Sequence, residues 1–567
     1  MEITFLGHAG IFFETRYGSV LCDPFFNPAF FASWFPFPSN EEVDRAKIAH
    51  PTYLYISHLH DDHFDEQFLR EQVWKEAIVL LPDFPINVIE RALRKLGFTK
   101  FIQTKNSEAI EVNGLRFMIM SMTAPNDGAI GDSGLMIDDG ETRIFDQNDS
   151  RPIDLDRLTS FGPFDAHFVQ YSGATWFPLA YQFPEKMIQV LGRKKRENQL
   201  ARALRYVQEI GATFVIPSAG PPCFLDDDLF QFNDFDRDAT NTFPDQTVFM
   251  EYMQANGMNN GYLMIPGSVA TLSKEAFLVA HPLPEEQIQA IFKEKQGYLK
   301  AYKARQQPLI NAQKAGWPRG QVDILSSLRD WFEPLLVQAN LTCVGVNGRI
   351  LLDFDTWGVV IDFQLRKVYA WNGEEWDYRY RLDPALVEYC ILHHEEDWLN
   401  EIFLSFRFQA QRKGAYNEHV SNFFLCLSPE RLQFVEDYYS KRSSVEHFWE
   451  SDGYRIQRYC PHQKADLKRF GKIENGILTC ALHGWQYELA TGRCLTSEGH
   501  WLYAQPIDQE DAERDVAETT AEVHANDQSQ FIRTKCKDCW YTPSELPEVG
   551  RKSLNGSTGT KSLKGTS

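Results

Sequence analysis

The chain has 567 residues, several times the usual domain size, so about three domains are expected. A formal net charge of −21 argues against nucleic acid or an anionic membrane surface as the main partner, and no run approaches the roughly 20 apolar residues of a membrane helix. The opening MEITFLGHAGIFFE carries no basic leader, and the ten cysteines are scattered as in a reducing compartment, which makes the cytoplasm the expected location.

Residues 1–265 read as alternating strands and helices. Segments 3–6, 11–14 and 20–23 are short apolar strands, and 52–57 is another that runs directly into His58-Leu-His60-Asp-Asp62-His63. Imidazoles and carboxylates this dense, on a loop at a strand end, suit zinc, iron or manganese better than they suit packing. The spacing of Leu200, Ala203, Leu204, Val207 and Ile210 predicts a helix that Gly211 stops, and a strand at 213–217 follows. Arg193, Lys194, Lys195 and Arg196 form the densest basic run, close to Trp176 and Phe177. Such cations suit phosphates and such rings suit a base or sugar, although a solvated helix face and packed aromatics account for the same residues.

Residues 266–430 open on a charged helical stretch and turn to β character. Asn347-Gly348, Asn372-Gly373 and the Gly358 break predict the turns of a small antiparallel sheet with helices after it. The segment His393-His394-Glu-Glu-Asp397 offers a competing metal site, but consecutive residues point in different directions, and a helix start is the favoured reading.

Residues 431–508 hold Cys460-Pro-His462 and, after the seventeen residues 463–479, Cys480-Ala-Leu-His483. Each half contributes one cysteine and one histidine, as a Rieske 2Fe–2S cluster needs for two cysteines on one iron and two histidines on the other. A structural zinc site fits less well, since it pairs cysteines with cysteines. Cys494 is expected to pack. Residues 509–567 are too polar to bury and are expected to be disordered; Cys536 and Cys539 form a lone CxxC there.

HLHDDH, with GHAG and LCDPFF upstream, resembles the metal signature and opening strands of the metallo-β-lactamase fold. The resemblance implies that Asp23 supports the loop and that Asp149 stands at the bridging aspartate; His8 either lines the pocket or is packed. Two further histidines usual in that superfamily are missing, near Asp132 and at the end of strand 213–217. A two-metal hydrolase is therefore in doubt, while His58 and His60 with Asp149 or Asp62 still supply the two histidines and one carboxylate of oxygen-activating non-haem iron enzymes. An electron-transfer cluster has a use beside such an iron, because reducing dioxygen to a hydroxyl and a water consumes two external electrons.

The C-terminal segment resembles the Rieske domains of oxygenases and lacks the extra loop cysteines of respiratory-chain Rieske proteins. The segments ITFLGHAG, DPFFNPAFF, YISHLHDDH, GATWFPLAYQF and GRKKRENQLARALRYV resemble the CMP-N-acetylneuraminate hydroxylase family, and the order with the Rieske domain last resembles bacterial UDP-N-acetylmuramate hydroxylases. The implied fold is multidomain α+β, with an N-terminal metallo-β-lactamase-like αββα sandwich, a middle α+β region and a C-terminal all-β Rieske domain. The implied activity is hydroxylation of the N-acetyl group of a nucleotide sugar to N-glycolyl, using non-haem iron, dioxygen and electrons from a b-type cytochrome or a ferredoxin with its reductase. Two alternatives stand beside it: a metallo-hydrolase with the cluster as a redox switch, and an electron carrier on a degenerate scaffold.

Overall fold

The computed structural model describes residues 1–124, 131–173, 175–440, 447–497 and 499–507; the expected polar tail, with Cys536 and Cys539, lies outside them. The N-terminal half is built on two sheets. The first has eight strands in the order Phe277–Ala280, Val269–Leu272, Glu2–Gly7, Gly10–Thr15, Gly18–Cys22, Tyr53–Tyr55, Ile78–Leu81 and Phe101–Gln103. The second has six, in the order Phe214–Ser218, Ala166–Gln170, Arg143–Asp146, Asp132–Asp138, Leu115–Met122 and Ala109–Val112.

Strand alternation assigns each side chain to a layer. Ile3, Phe5, Ile11 and Phe13 of the first sheet meet Phe117, Ile119, Leu135 and Ile137 of the second in a core between them. Leu6, Phe12 and Leu21 point the other way, onto Phe68, Leu69 and Leu93 of the helices Glu66–Glu71 and Val88–Lys95. Both faces are covered, which is why these strands read as continuous apolar runs. The outer face of the second sheet packs Val169 and Val215 on Leu200, Ala203, Leu204 and Val207 of the long helix Glu185–Ile210, which Gly211 ends in a left-handed conformation (φ 64°). This helix–sheet–sheet–helix layering is the metallo-β-lactamase fold, and the whole chain is a multidomain α+β protein.

The first unit runs past 265. Val269–Leu272 and Phe277–Ala280 extend the first sheet from Glu2–Gly7. The charged stretch after them forms Glu285–Lys293 and Lys295–Ala315, whose Ile288, Leu299 and Tyr302 cover Phe35, Phe37 and Leu225. Charge on their outer faces hides that apolar stripe in a linear reading.

The middle unit is a five-stranded sheet ordered Lys367–Ala370, Gly358–Asp362, Arg349–Asp353, Tyr378–Leu382 and Phe408–Arg412. Gly358 opens the return strand of a hairpin, as expected. The other two turn readings are corrected. Asn340–Val346 is a helix, and Asn347 (φ 42°) is its left-handed cap. Arg349–Asp353 pairs in parallel with Tyr378–Leu382, so Asn372-Gly373 lies in a crossover and the sheet is mixed. Helices precede the sheet as well as follow it, beginning with Ile324–Gln338.

The C-terminal segment consists of two three-stranded antiparallel sheets, Phe448–Ser451 with Tyr454–Gln457 and Ala504–Pro506, and Gly471–Glu474 with Ile477–Cys480 and Trp485–Glu488. Its Ile456, Leu467, Phe470, Leu478 and Leu482 join one apolar cluster with Met118, Met120, Met136, Phe145, Tyr206 and Ile210. The Rieske segment thus covers the part of the second sheet that the long helix leaves open.

Candidate metal centre and electron-transfer site

The loop after Tyr53–Tyr55 is held from below by one carboxylate. Asp23 accepts from the Ser57 backbone N–H at 2.8 Å and from the Ser57 hydroxyl, and it lies 2.8 Å from His63 Nδ1. That contact places the ring proton of His63 on Nδ1 and turns Nε2 into the pocket, the usual arrangement behind a metal-bound imidazole. His63 Nε2 lies 3.8 Å from Asp62 and 3.7 Å from Asp149. His8 Nε2 is 2.9 Å from Asp62, and His58 Nε2 is 2.7 Å from His60 Nδ1. Two ligand groups result, His8–Asp62–His63 and His58–His63–Asp149, each with its donor atoms within 4.8 Å of one another. They share His63 and make one centre.

Of the residues singled out in the histidine loop, His58, Asp62 and His63 come together with Asp149, while His60 stands beside His58 outside both ligand groups; Asp23 holds the loop, and His8 lines the pocket. Asp132 is an addition: its carboxylate approaches His58 Nδ1 at 3.5 Å, near the place where the superfamily's further histidine is missing.

Electrostatics favour a cation here. Burial, then the neighbouring imidazoles of His63, His60 and His8, holds His58 well below the ordinary histidine range, and burial with His63 lowers His60 to about 4. Both imidazoles are therefore held in the neutral form that a metal ligand requires. Burial works against a proton on His63 as well, but Asp62, Asp23 and Asp149 outweigh it and push that ring up to about 10. His8 Nδ1, Asp62 Oδ1, His63 Nε2 and Asp149 Oδ1 are buried without a hydrogen-bond partner among the described residues. Orphaned buried polar atoms cost about 1–3 kcal/mol each, and a bound cation would offset that. Mixed imidazole and carboxylate donors fit iron, zinc or manganese.

The Rieske ligands also converge. Strand Ile477–Cys480 delivers Cys480, and Cys460 follows Tyr454–Gln457. The two thiols are hydrogen-bonded to each other; backbone N–H groups of His462 and Gln463 donate to Cys460, and those of Leu482 and His483 to Cys480. Tyr487 Oη lies 3.3 Å from Cys460 Sγ. Such bonds to sulfur are among the controls on a cluster's potential. The rings of His462 and His483 stand 4.9 Å apart at 87°, and both nitrogens of His483 are buried without a hydrogen-bond partner among the described residues. Two cysteines and two histidines so disposed fit a 2Fe–2S cluster. Cys494 is buried and packs, as expected.

The two cluster loops lean on different neighbours. His462 stacks on Trp485 at 3.9 Å, and its Nε2 lies 3.6 Å from Glu418 of the middle unit, itself held by His500 at 2.6 Å and the Tyr439 hydroxyl at 2.8 Å. On the other side, Arg202 of the long helix donates to the Leu482 carbonyl at 3.2 Å. Glu418 and Arg202 escaped the sequence reading. Position carried no signal for Glu418, whereas Arg202 follows Lys195 by seven residues, two turns along one helix face.

The basic run splits around its helix, because successive residues point about 100° apart. Arg193 is exposed, and Lys194 is half-buried. Arg196 is a correction: it is buried and bound to Asp234 at 2.8 Å and to the carbonyls of Asp238 and Asn241, so it braces a loop. Trp176 is another, packing on Phe403 and Phe408. Lys195 alone of the four faces Arg202 and Arg151; burial and these two cations lower it to about 7, while its ammonium donates to the Phe177 carbonyl at 2.9 Å. The segment 393–397 ends helix Pro384–His393 and, as expected, leads into a helix start: the π-helical turn Leu399–Phe403 follows, and Asp397 accepts from the Asn400 backbone N–H at 2.9 Å. His394 is the left-handed cap of helix Pro384–His393, stacked on Trp331 at 4.5 Å, and neither His393 nor His394 joins a metal-ligand group among the described residues.

Comparison with known proteins agrees with the C-terminal assignment. Residues 443–500 match the Rieske [2Fe-2S] domain family, and residues 324–441 match the Rv3818-like, SCP2-like domain family. Among solved structures, a metallo hydrolase from Ignicoccus hospitalis (15% identity, TM-score 0.34) covers 48% of this chain and 98% of its own. The diiron β-hydroxylase CmlA from Streptomyces venezuelae (20%, TM-score 0.33) covers 48% of this chain and 54% of its own. No helix among the described residues is long and apolar enough to cross a membrane. The Rieske 2Fe-2S iron-sulfur protein Rv3818 of Mycobacterium tuberculosis is 46% identical over 511 residues, covering 88% of this chain and 99% of its own length. A Mycolicibacterium smegmatis protein of the same description is 44% identical over 520 residues, covering 89% and 100%. The chain belongs to this family of Rieske 2Fe–2S iron–sulfur proteins.

Proposed function

We propose that the protein is a Rieske-dependent monooxygenase whose N-terminal centre holds non-haem iron. The observation that supports it most is the single span of structure serving both centres. The turn after Arg143–Asp146 carries Asp149 and then Arg151, and the charge of Arg151 reaches Asp149 on one side and His462 and His483 on the other. An electron donor and an oxygen-activating metal need such proximity; a hydrolase does not. When bound, the iron activates dioxygen and the cluster supplies electrons one at a time from a b-type cytochrome or a ferredoxin. His58, His60, Asp62, His63 and Asp149 hold the metal, Asp23 and Ser57 fix the direction of His63, and Cys460, His462, Cys480 and His483 hold the cluster.

The finer reading is hydroxylation of the N-acetyl group of a nucleotide sugar, supported by the family resemblance of the N-terminal segments. The hydrolase reading draws on one observation: His8 completes a second ligand group, as a two-metal site requires. Incubation with CMP- and UDP-linked N-acetyl sugars, dioxygen and a reductase system tests both. A product heavier by one oxygen atom, with iron by metal analysis and a Rieske paramagnetic resonance signal, is expected. Zinc in the N-terminal centre together with oxygen-independent turnover would sink the oxygenase.

A further inference from the structure

In this acidic protein, buried cations are generally matched. Arg196 meets Asp234, and Arg407 meets Asp226 at 2.8 Å. Half-buried Arg349 and Arg379 are likewise bound to Asp362 and Asp353. Three cations beside the metal centres break the pattern. Arg151, Lys195 and Arg202 have no carboxylate at ion-pair distance among the described residues, and Arg202 is only 7% exposed. They come from two elements, the turn after Asp149 and one face of the helix Glu185–Ile210, where Lys195 and Arg202 stand seven residues apart, and the charge of Arg151 acts on both. Arg202 reaches the cluster loop through the Leu482 carbonyl, next to His483, and Arg151 stands two residues after Asp149, so the group lies beside both the cluster and the metal loop. Folding gathers three like charges here with no carboxylate at ion-pair distance among the described residues and only the more distant Asp149 acting on them, at an energetic cost that an external anion would lower.

We infer that Arg151, Lys195 and Arg202 form an oxyanion-binding site beside the two metal centres, which takes the carboxylate or phosphate group of the substrate. It deepens the oxygenase reading and rests on it for the word substrate, but not for the binding. Two guanidinium groups and an ammonium supply the charge-assisted hydrogen bonds that planar or tetrahedral oxyanions accept. Binding there holds the remainder of the molecule beside Asp149 and the histidine loop. It also sets a negative charge near His483, which disfavours an added electron on the cluster.

The test uses the iron-loaded full-length protein at low ionic strength, titrated calorimetrically with inorganic phosphate and, separately, acetate. Saturable binding is expected, and the tighter of the two probes identifies the group. Lys195→Met and Arg151→Met are each expected to weaken it about 10-fold or more, while Arg205→Ala, on the same helix but paired with Glu209, leaves it unchanged. Spectroelectrochemistry adds a readout that a structural role would not move: the bound anion lowers the reduction potential of the cluster, and the shift disappears in Lys195→Met. Arg202→Met is set aside as primary evidence because it also loosens the Leu482 contact, and an unaltered Rieske resonance signal checks the other variants. Absence of saturable binding, or equal binding by Lys195→Met and Arg205→Ala, overturns the site. Binding by a protein that consumes no oxygen overturns the oxygenase and leaves the site standing; oxygen uptake without anion binding does the reverse.

Discussion

Adjacent residues of one basic run have opposite jobs. Arg196 is paired with Asp234 in the interior, so Arg196→Ala leaves a buried carboxylate without its partner and is expected to cost about 3–5 kcal/mol in denaturant unfolding. Lys195→Met, which breaks no ion pair, is expected to leave the unfolding midpoint nearly unchanged. At the metal loop, His63→Ala removes the imidazole common to both ligand groups. Metal analysis should then show loss of the N-terminal metal with the Rieske resonance signal intact, and Cys460→Ser should do the reverse. The ligands were legible in the sequence because their chemistry is local: HLHDDH and the two Cys–His pairs carry spacing and donor type together. The basic run was legible as charge but not as direction. Which of its members face a site depends on where the helix meets the sheet, and no local pattern encodes that.

At the scale of elements, strands and the long helix were legible wherever apolar periodicity was strong. The helix Asn340–Val346 was not, since Thr342, Val344 and Val346 are β-branched and Asn-Gly mimics a hairpin turn; burial of Thr342 and Cys343 decides its conformation. Buried contacts between elements also carry stability. Phe470 is 1% exposed and packs on Tyr206 with ring centres 5.6 Å apart, so Phe470→Ala is expected to cost about 3–5 kcal/mol and loosen the Rieske segment from its support. Asp226 ties three segments together, through Lys314 at 3.0 Å and Arg407 at 2.8 Å. Against burial, these cations hold its carboxyl below the ordinary aspartate range. A lowered carboxylate stabilises the fold fully above its unfolded value, and the effect fades as pH falls through the folded one. Asp226→Asn should therefore be less stable than the parent at pH 7, and the gap should narrow below about pH 4, as read from unfolding midpoints.

For the whole molecule, the placement of the Rieske segment was the least legible feature. Its ligands lie some 400 residues from the histidine loop in the chain, and only the outward-facing Met118, Met120, Met136 and Phe145 hint that something must cover the second sheet. Their apolar cluster with Tyr206, Phe470 and Leu482 seats the Rieske segment on the second sheet and the long helix of its own chain. Delivery of electrons is expected to stay within that chain. Mixing Cys460→Ser protein with His63→Ala protein should restore no oxygen consumption; recovery on mixing would mean that the cluster of one chain serves the metal of another.

The cluster loops lean on different units, one through Glu418 and the other through Arg202. That arrangement bears on how freely the parts can be exchanged. A foreign Rieske module grafted at residue 447 would bring its own iron ligands, yet it would lack both the surface that meets the long helix and His500, which holds Glu418 at 2.6 Å. Such a chimera should assemble a cluster and still pass no electrons. The interchangeable piece is therefore larger than the cluster-binding fold itself, and it includes the middle unit's helix Glu418–Leu425 along with the helix Glu185–Ile210.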